Sequence, residues 1–276
     1  LVDSLTLQSQ TDTAEVAIAL NTAKIGFSQE TILVTQSNFA TTLGGTIDST
    51  KLYQIEGIIN TGTTSIEIPA TGLSLKGNSF DLSGLVSTEA NYTMFTSPVG
   101  GSGNLLGFDY YVSVTGAASQ IYDITDATGL NAFEFSRVNY IDCTSLGDIY
   151  NYRQGLESGT GRFGGSPSLT LHGTWVGGFR ITTSIVRSMS DTTTEPLFKA
   201  GTAFVMNSRF LTDINCDLGT LQPFADFAPA NFANPSTLQF KGAIISRDGA
   251  FDSSDTNILT NISRDDLASD FDNNIG

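Results

Sequence analysis

The segment Leu169-Thr-Leu-His-Gly-Thr-Trp175 alternates apolar with small polar side chains between a Ser-Pro pair and a Gly-Gly pair. A period of two places Leu169, Leu171 and Trp175 on one side of an extended chain, with Thr170, His172 and Thr174 on the other. Similar fragments recur from about Leu33 to Ser246, and that span contains no long amphipathic helical pattern. So many short strands in one chain make a large all-β structure, and we read it as a stacked solenoid.

The strands follow one another quickly from Lys51. The alternation marks Tyr53–Ile59, Ser65–Ile68, Leu73–Lys76, Tyr92–Phe95, Phe108–Val114, Gln120–Ile124, Ala132–Tyr140, Leu169–Trp175, Phe179–Val186, Ala203–Phe210, Asp213–Cys216 and Thr237–Ser246. Turns such as Asn60-Thr-Gly62 and Ala70-Thr-Gly72 separate them. Asn-Gly hairpin signals flanked by alternation are absent, which favours parallel coils joined by bends over an antiparallel sandwich. Ser136-Arg-Val-Asn-Tyr-Ile-Asp-Cys-Thr-Ser-Leu-Gly147 also resembles Ser208-Arg-Phe-Leu-Thr-Asp-Ile-Asn-Cys-Asp-Leu-Gly219, starting 72 residues later. With about 20–25 residues per coil this offset is three coils, which places Cys143 and Cys216 at similar positions.

Four regions are expected. Residues 1–28 form a helical stub: Thr11–Gly26 is Ala-rich, opens on Asp/Thr and stops at Gly. One register sets Ile18 and Ile25 on a seam around Asn21; a second sets Val16, Leu20, Ala23 and Phe27 there. Either is a coiled-coil seam of about two heptads, too short to stand alone, so it makes sense where copies of the chain meet. The plainer reading is a single helix lying on the β region. Residues 29–50 lead into the stack, with Thr31–Thr35 extended and Ser37–Leu43 a capped helical turn closing its end. Residues 51–246 are the β-helix, and 247–276, richer in Asp and Asn, a C-terminal cap or a linker to a further region.

The composition excludes several classes of function. There are 13 basic and 28 acidic residues, a net charge of −15, which repels phosphate backbones and anionic membranes. Charged residues are 15% of the chain, below the usual quarter or so, and the polar positions go to Thr, Ser, Asn and Gly. Disorder is excluded by abundant β-branched residues and by 18 Phe. No apolar run is long enough for a membrane-spanning helix, and no basic-then-apolar secretory signal is visible. A chain that starts at Leu1 without Met is read as part of something longer. Cys143 and Cys216 are read as buried free thiols, and the sequons at Asn91 and Asn261 as chance occurrences.

Candidate chemistry is sparse. His172 is the single histidine; on the Thr side of its strand it is read as a packing or surface-bonded residue, not as a catalytic base. One His and two distant Cys serve zinc poorly, and no cofactor is expected. Asp142, Asp148, Glu157, Asp213 and Asp217 are the carboxylates from which a glycosidase pair would be drawn. Asn151–Ser166 reads as the longest irregular stretch. With Tyr150 just before it, it gathers Tyr150, Tyr152, Arg153, Arg162 and Phe163 as candidate binding anchors, or as contacts to a neighbouring subunit. Its glycines do not make a phosphate loop, since no Gly-Lys-Ser/Thr follows. Asp248–Asn257 offers oxygen ligands but lacks the EF-hand spacing and is read as a polar turn.

The succession of the stub Val16-Ala-Ile-Ala-Leu-Asn-Thr-Ala-Lys-Ile25, a lead-in, and turns such as Gly57-Ile-Ile-Asn-Thr-Gly62 and Ile66-Glu-Ile-Pro-Ala-Thr-Gly-Leu-Ser-Leu-Lys-Gly77 resembles bacteriophage tail-fibre and spike proteins. The resemblance implies a homotrimer of right-handed parallel β-helices on the virion exterior. Its partners would be other virion proteins and a host surface glycan or receptor. Some members of that class cleave surface glycans, which makes a virion-associated depolymerase (glycosidase or lyase) the alternative. A secreted bacterial β-solenoid adhesin is the second alternative.

Overall fold

The computed structural model describes residues 29–158, 162–189, 195–218, 224–233, 237–240, 244–247 and 259–260. The stub and its seam residues Val16, Ile18, Leu20, Asn21, Ala23 and Ile25 lie outside the described residues, as does most of the 247–276 tail.

The described chain is all β, with no α-helix, and each of its strand pairings is parallel. It runs coil by coil. The first coil holds β1 (Thr31–Val34). The second holds β2 (Leu52–Ile55), β3 (Ile58–Asn60) and β4 (Ile66–Glu67), and the third β5 (Leu73–Gly77), β6 (Gly84–Ser87) and β7 (Thr93–Thr96). Next come β8 (Leu105–Phe108), β9 (Tyr111–Val114) and β10 (Gln120–Thr125), then β11 (Ala132–Ser136), β12 (Asn139–Cys143) and β13 (Gly147–Tyr150). A fourth side appears with β14 (Gln154–Ser158), β15 (Arg162–Gly165), β16 (Leu169–His172) and β17 (Thr174–Trp175). Above lie β18 (Gly178–Met189), β19 (Phe198–Ala200) and β20 (Val205–Met206), then β21 (Arg209–Leu218) and β22 (Ala225–Asp226), and last β23 (Thr237–Phe240), β24 (Ile244–Arg247) and β25 (Leu259–Thr260). Strands at the same place in successive coils pair, so the stack has three long faces. The step between facing residues varies from 21, Thr31 to Leu52, to 34, Ala225 to Leu259. This is the stacked, β-helix-like arrangement that the alternation predicts. The lead-in joins it as the first rung, and Leu259–Thr260 extends it past residue 246.

Inward residues line up in rows along the stack. The first face stacks Leu105, Phe133, Gly155, Phe179 and Phe210. The second stacks Ile59, Leu85, Val112 and Tyr140. The third stacks Ile66, Phe95, Tyr122, Gly147, Leu169 and Phe198. Rings pack on one another along these rows, Phe95 on Tyr122 and Phe179 on Phe210, both with centroids 5.5 Å apart. Gly155 makes room for a ring, since a methyl there would overlap Phe179.

Six predicted strands each span two, among them Leu169–Trp175, which bends at Gly173 between β16 and β17. Tyr53–Ile59, Phe108–Val114 and Ala132–Tyr140 bend from the first to the second face at Gly57, Asp109 and Arg137, which have φ of 72°, 58° and 56°. The bend is invisible in the first because Tyr53, Ile55 and Ile59 share one parity and all point inward. At two such corners, Arg137 pairs with Asp109 of the coil below at 2.6 Å. In β18 and β21 the chain crosses between these faces without breaking the strand. Asn151–Ser166 is not an irregular stretch: it carries β14 and β15, and Gly155 serves ring packing where the sequence alone reads a loop. Cys216 lies three strands above β12 in the same column, facing Val186, Phe163 and Tyr140 in turn. Cys143 faces Gly165, so the rows of the two cysteines differ across the irregularity between Tyr140 and Cys143.

The lower end is closed by side chains. Phe39 and Leu43, around the 3₁₀ turn Phe39–Thr41, are buried and plug the interior. Along the free edge of β1, Asn38 donates from Nδ2 to the Leu33 carbonyl (2.9 Å), and its Oδ1 accepts from the Thr35 N–H (2.7 Å). Gln36 does the same for β3, donating to the Asn60 carbonyl (3.0 Å) and accepting from the Asn60 N–H (2.7 Å). Two primary amides thus stand in for missing strands on edges that would otherwise recruit another chain.

Candidate functional site

Among the described residues the interior is filled by packed side chains around a small cavity. A cavity of about 20 Å³, lined by Phe133, Phe135, Leu156, Phe179, Ile181 and Phe198, is apolar and water-sized. Among the described residues no three His, Cys, Asp or Glu side chains converge as a metal site would require.

The richest cluster of titratable groups is on the third face. β10 and β13 pair with Asp123 facing Asp148, and Thr170 and then Lys199 continue the row. In the next row Thr125, Tyr150 and His172 face one another. Parallel strands stand about 4.8 Å apart, so the two carboxylates are close neighbours. Loss of hydration at the sheet, and then the Asp148 charge, raise the Asp123 carboxyl above its ordinary value, while His172 acts in the opposite direction. The Tyr150 hydroxyl is raised for the same reasons: burial first, then Asp148 and Asp123.

His172 is 8% exposed and satisfied at both ring nitrogens. Nε2 is 2.7 Å from Asp148 Oδ1, and Nδ1 is 2.8 Å from the backbone nitrogen of Thr202. An amide N–H can only donate, so Nδ1 is the acceptor and the ring proton sits on Nε2, donated to the carboxylate. The Tyr150 ring stacks on the imidazole at 4.0 Å and 14°. On the other side a methyl at Gly201 would overlap the imidazole ring. The His172 carbonyl accepts from the Trp175 indole (3.0 Å) and the Asn151 N–H (3.0 Å). With no lone pair free, His172 cannot activate a nucleophile in this state.

The five candidate anchors are not brought together. Tyr150 stacks on His172. Tyr152 is fully buried, its hydroxyl bonded to Ser102 Oγ (2.6 Å), and presents no surface to a partner. Arg153 is exposed at the corner after the third face. Arg162 and Phe163 lie in β15, facing Ile185 and Val186. The candidate carboxylates also separate: Asp148 on the third face, Asp142 at the bulge of β12 with φ 51°, Glu157 in β14 facing Phe135, and Asp213 and Asp217 along β21. The pair that does form is Asp148 with Asp123. Its signal is a repeat, since Asp123-Ile124 and Asp148-Ile149 recur one coil apart. Of the sequons, Asn91 is exposed at a turn, and Asn261 lies outside the described residues, as does Asp248–Asn257.

Comparison of the chain with family models, curated proteins and solved structures found no match. Fold and site together define a class by geometry alone: an all-β stack of parallel coils with a polar, acidic third face.

Proposed function

We propose that the chain is a structural segment of a virion appendage, a phage tail fibre or a head or tail spike. In this reading three copies of a right-handed β-helix associate laterally on the virion exterior and connect to, or form, a host-attachment surface. The observation that supports the reading is the pile of parallel coils formed by the described strands between Thr31 and Thr260. Lateral association is supported by the contrast between faces. Across β3, β6, β9 and β12 the second face carries no charged residue before Asp142, and it exposes Ile58 (59%) and Ile141 (36%). The third face carries Glu67, Asp123, Asp148 and Asp226. In a chain of net charge −15, copies approach with least repulsion through the neutral face. A stub at residues 1–28 would add a seam at one end.

Mass photometry and chemical cross-linking of the full chain are expected to show three copies; a stable folded monomer would overturn the proposal. The depolymerase reading is favoured by one observation, the Asp123–Asp148 pair, and makes the opposite prediction on substrate. Host capsule or exopolysaccharide incubated with the protein yields no new reducing ends or unsaturated products if the chain is structural, whereas turnover abolished by Asp148→Asn would install the enzyme. Secretion genes rather than tail or capsid genes beside the coding sequence would favour the adhesin.

A further inference from the structure

We infer that His172 is an acid-sensitive latch that fastens the coil of β16 to the turn 201–204 of the coil above. The inference stands on geometry and does not depend on the appendage reading. His172 reaches three coils at once: Asp148 and Tyr150 below, its own strand, and Thr202 and Gly201 above. It sits where the fourth side has opened, two residues before β17, whose Trp175 faces Met206 of β20. The grip on Thr202 requires an unprotonated Nδ1.

The latch works by proton exchange at one atom. When Nδ1 takes a proton from solvent, its lone pair becomes an N–H facing the Thr202 N–H. That hydrogen bond is lost, and two donors oppose each other. The imidazolium keeps its Nε2–H bond to Asp148 and gains attraction to Asp148 and Asp123, which hold the ring in place while the turn above is released. Of the other groups packed around the ring, Tyr150 stays neutral through the acid range, and Thr170 and Trp175 do not titrate. Lys199, one strand above, is paired with Glu195 at 3.0 Å. The turn keeps the backbone bonds from Gly201 N–H to the Leu171 carbonyl and from Gly173 N–H to the Thr202 carbonyl, and Asn231 Nδ2 donates to its Phe204 carbonyl. Protonation therefore loosens this joint without dismantling the stack.

The chain contains a single histidine, so ¹³C/¹⁵N-histidine labelling of the full-length protein reports this ring alone. The expected result is the Nε2–H tautomer while the Thr202 contact is closed, with Nδ1 gaining a proton as the contact opens in acid. Exchange protection of the Thr202 amide, corrected for intrinsic rate, should fall about tenfold with the same midpoint, the equivalent of one backbone hydrogen bond. Asp148→Asn should move both midpoints to lower pH together, because the imidazolium loses its facing charge. An Nδ1–H tautomer at pH 8, Thr202 protection that persists through the ring titration, or a midpoint unmoved by Asp148→Asn would each overturn the latch.

Discussion

Single residues carry much of the order in the turns, and Asp126 is the clearest case. It is fully buried, and its carboxylate accepts from the Thr128 N–H (2.8 Å) and hydroxyl (2.7 Å), and from the Asn131 N–H (2.7 Å) and side-chain amide (2.9 Å). Burial alone would raise its pKa, but the bonds to Thr128 and Asn131 together outweigh burial and hold it below the ordinary value. A depressed folded pKa means that this stabilisation is complete above the unfolded value and is lost as the pH falls through the folded one. Asp126→Ala is expected to cost about 3 kcal/mol at pH 7, read by urea denaturation, with the difference from the native chain shrinking in strong acid. A pH-independent difference would show that packing, not charge, is what Asp126 supplies. Cys143 is the opposite kind of residue: burial pushes its thiol up to about 12, which marks it as a core side chain rather than a nucleophile.

At the scale of the strand, the rows stack large side chains with an occasional glycine between them. Gly155 lies between Phe133 and Phe179 on the first face, so the ring above occupies the space a side chain would take. Gly155→Ala is expected to destabilise by about 1–3 kcal/mol, because a close-packed ring must leave its rotamer or the strand must shift. Thermal unfolding monitored by near-ultraviolet circular dichroism would register it, and an unchanged midpoint would show that the row is looser than its contacts imply. The same residue explains why Asn151–Ser166 reads as a loop in sequence: glycines that admit a neighbour's ring are locally indistinguishable from glycines that make a turn. Similarly, Tyr152 presents the profile of a binding anchor, yet it points inward and bonds Ser102, a residue 50 positions away in sequence.

For the molecule as a whole, the decisive problem of an open stack is its ends. The lower end is sealed by Gln36 and Asn38, whose amides satisfy the free edges of β3 and β1. Replacing both by alanine should leave the coils above intact but raise amide exchange at Thr35 and Asn60. It should also promote end-to-end association, visible as concentration-dependent light scattering. Unchanged scattering and exchange would mean that Phe39 and Leu43 alone close the end.

How much of this was legible beforehand divides along a physical line. Side-chain alternation is a local property with period two, so the all-β class, most strands and the inward identity of residues such as Leu169, Leu171 and Trp175 could be read from the sequence. The spacing of the look-alike Cys143 and Cys216 segments likewise carried the three-coil separation. Coils of unequal length, from 21 to 34 residues, break any simple arithmetic linking one coil to the next. Which carboxylate meets Asp148, what His172 holds, and where a strand bends at Asp109 or Arg137 are matters of register between coils. Register is set by how rings and glycines pack across neighbouring rungs, and only the folded stack decides it.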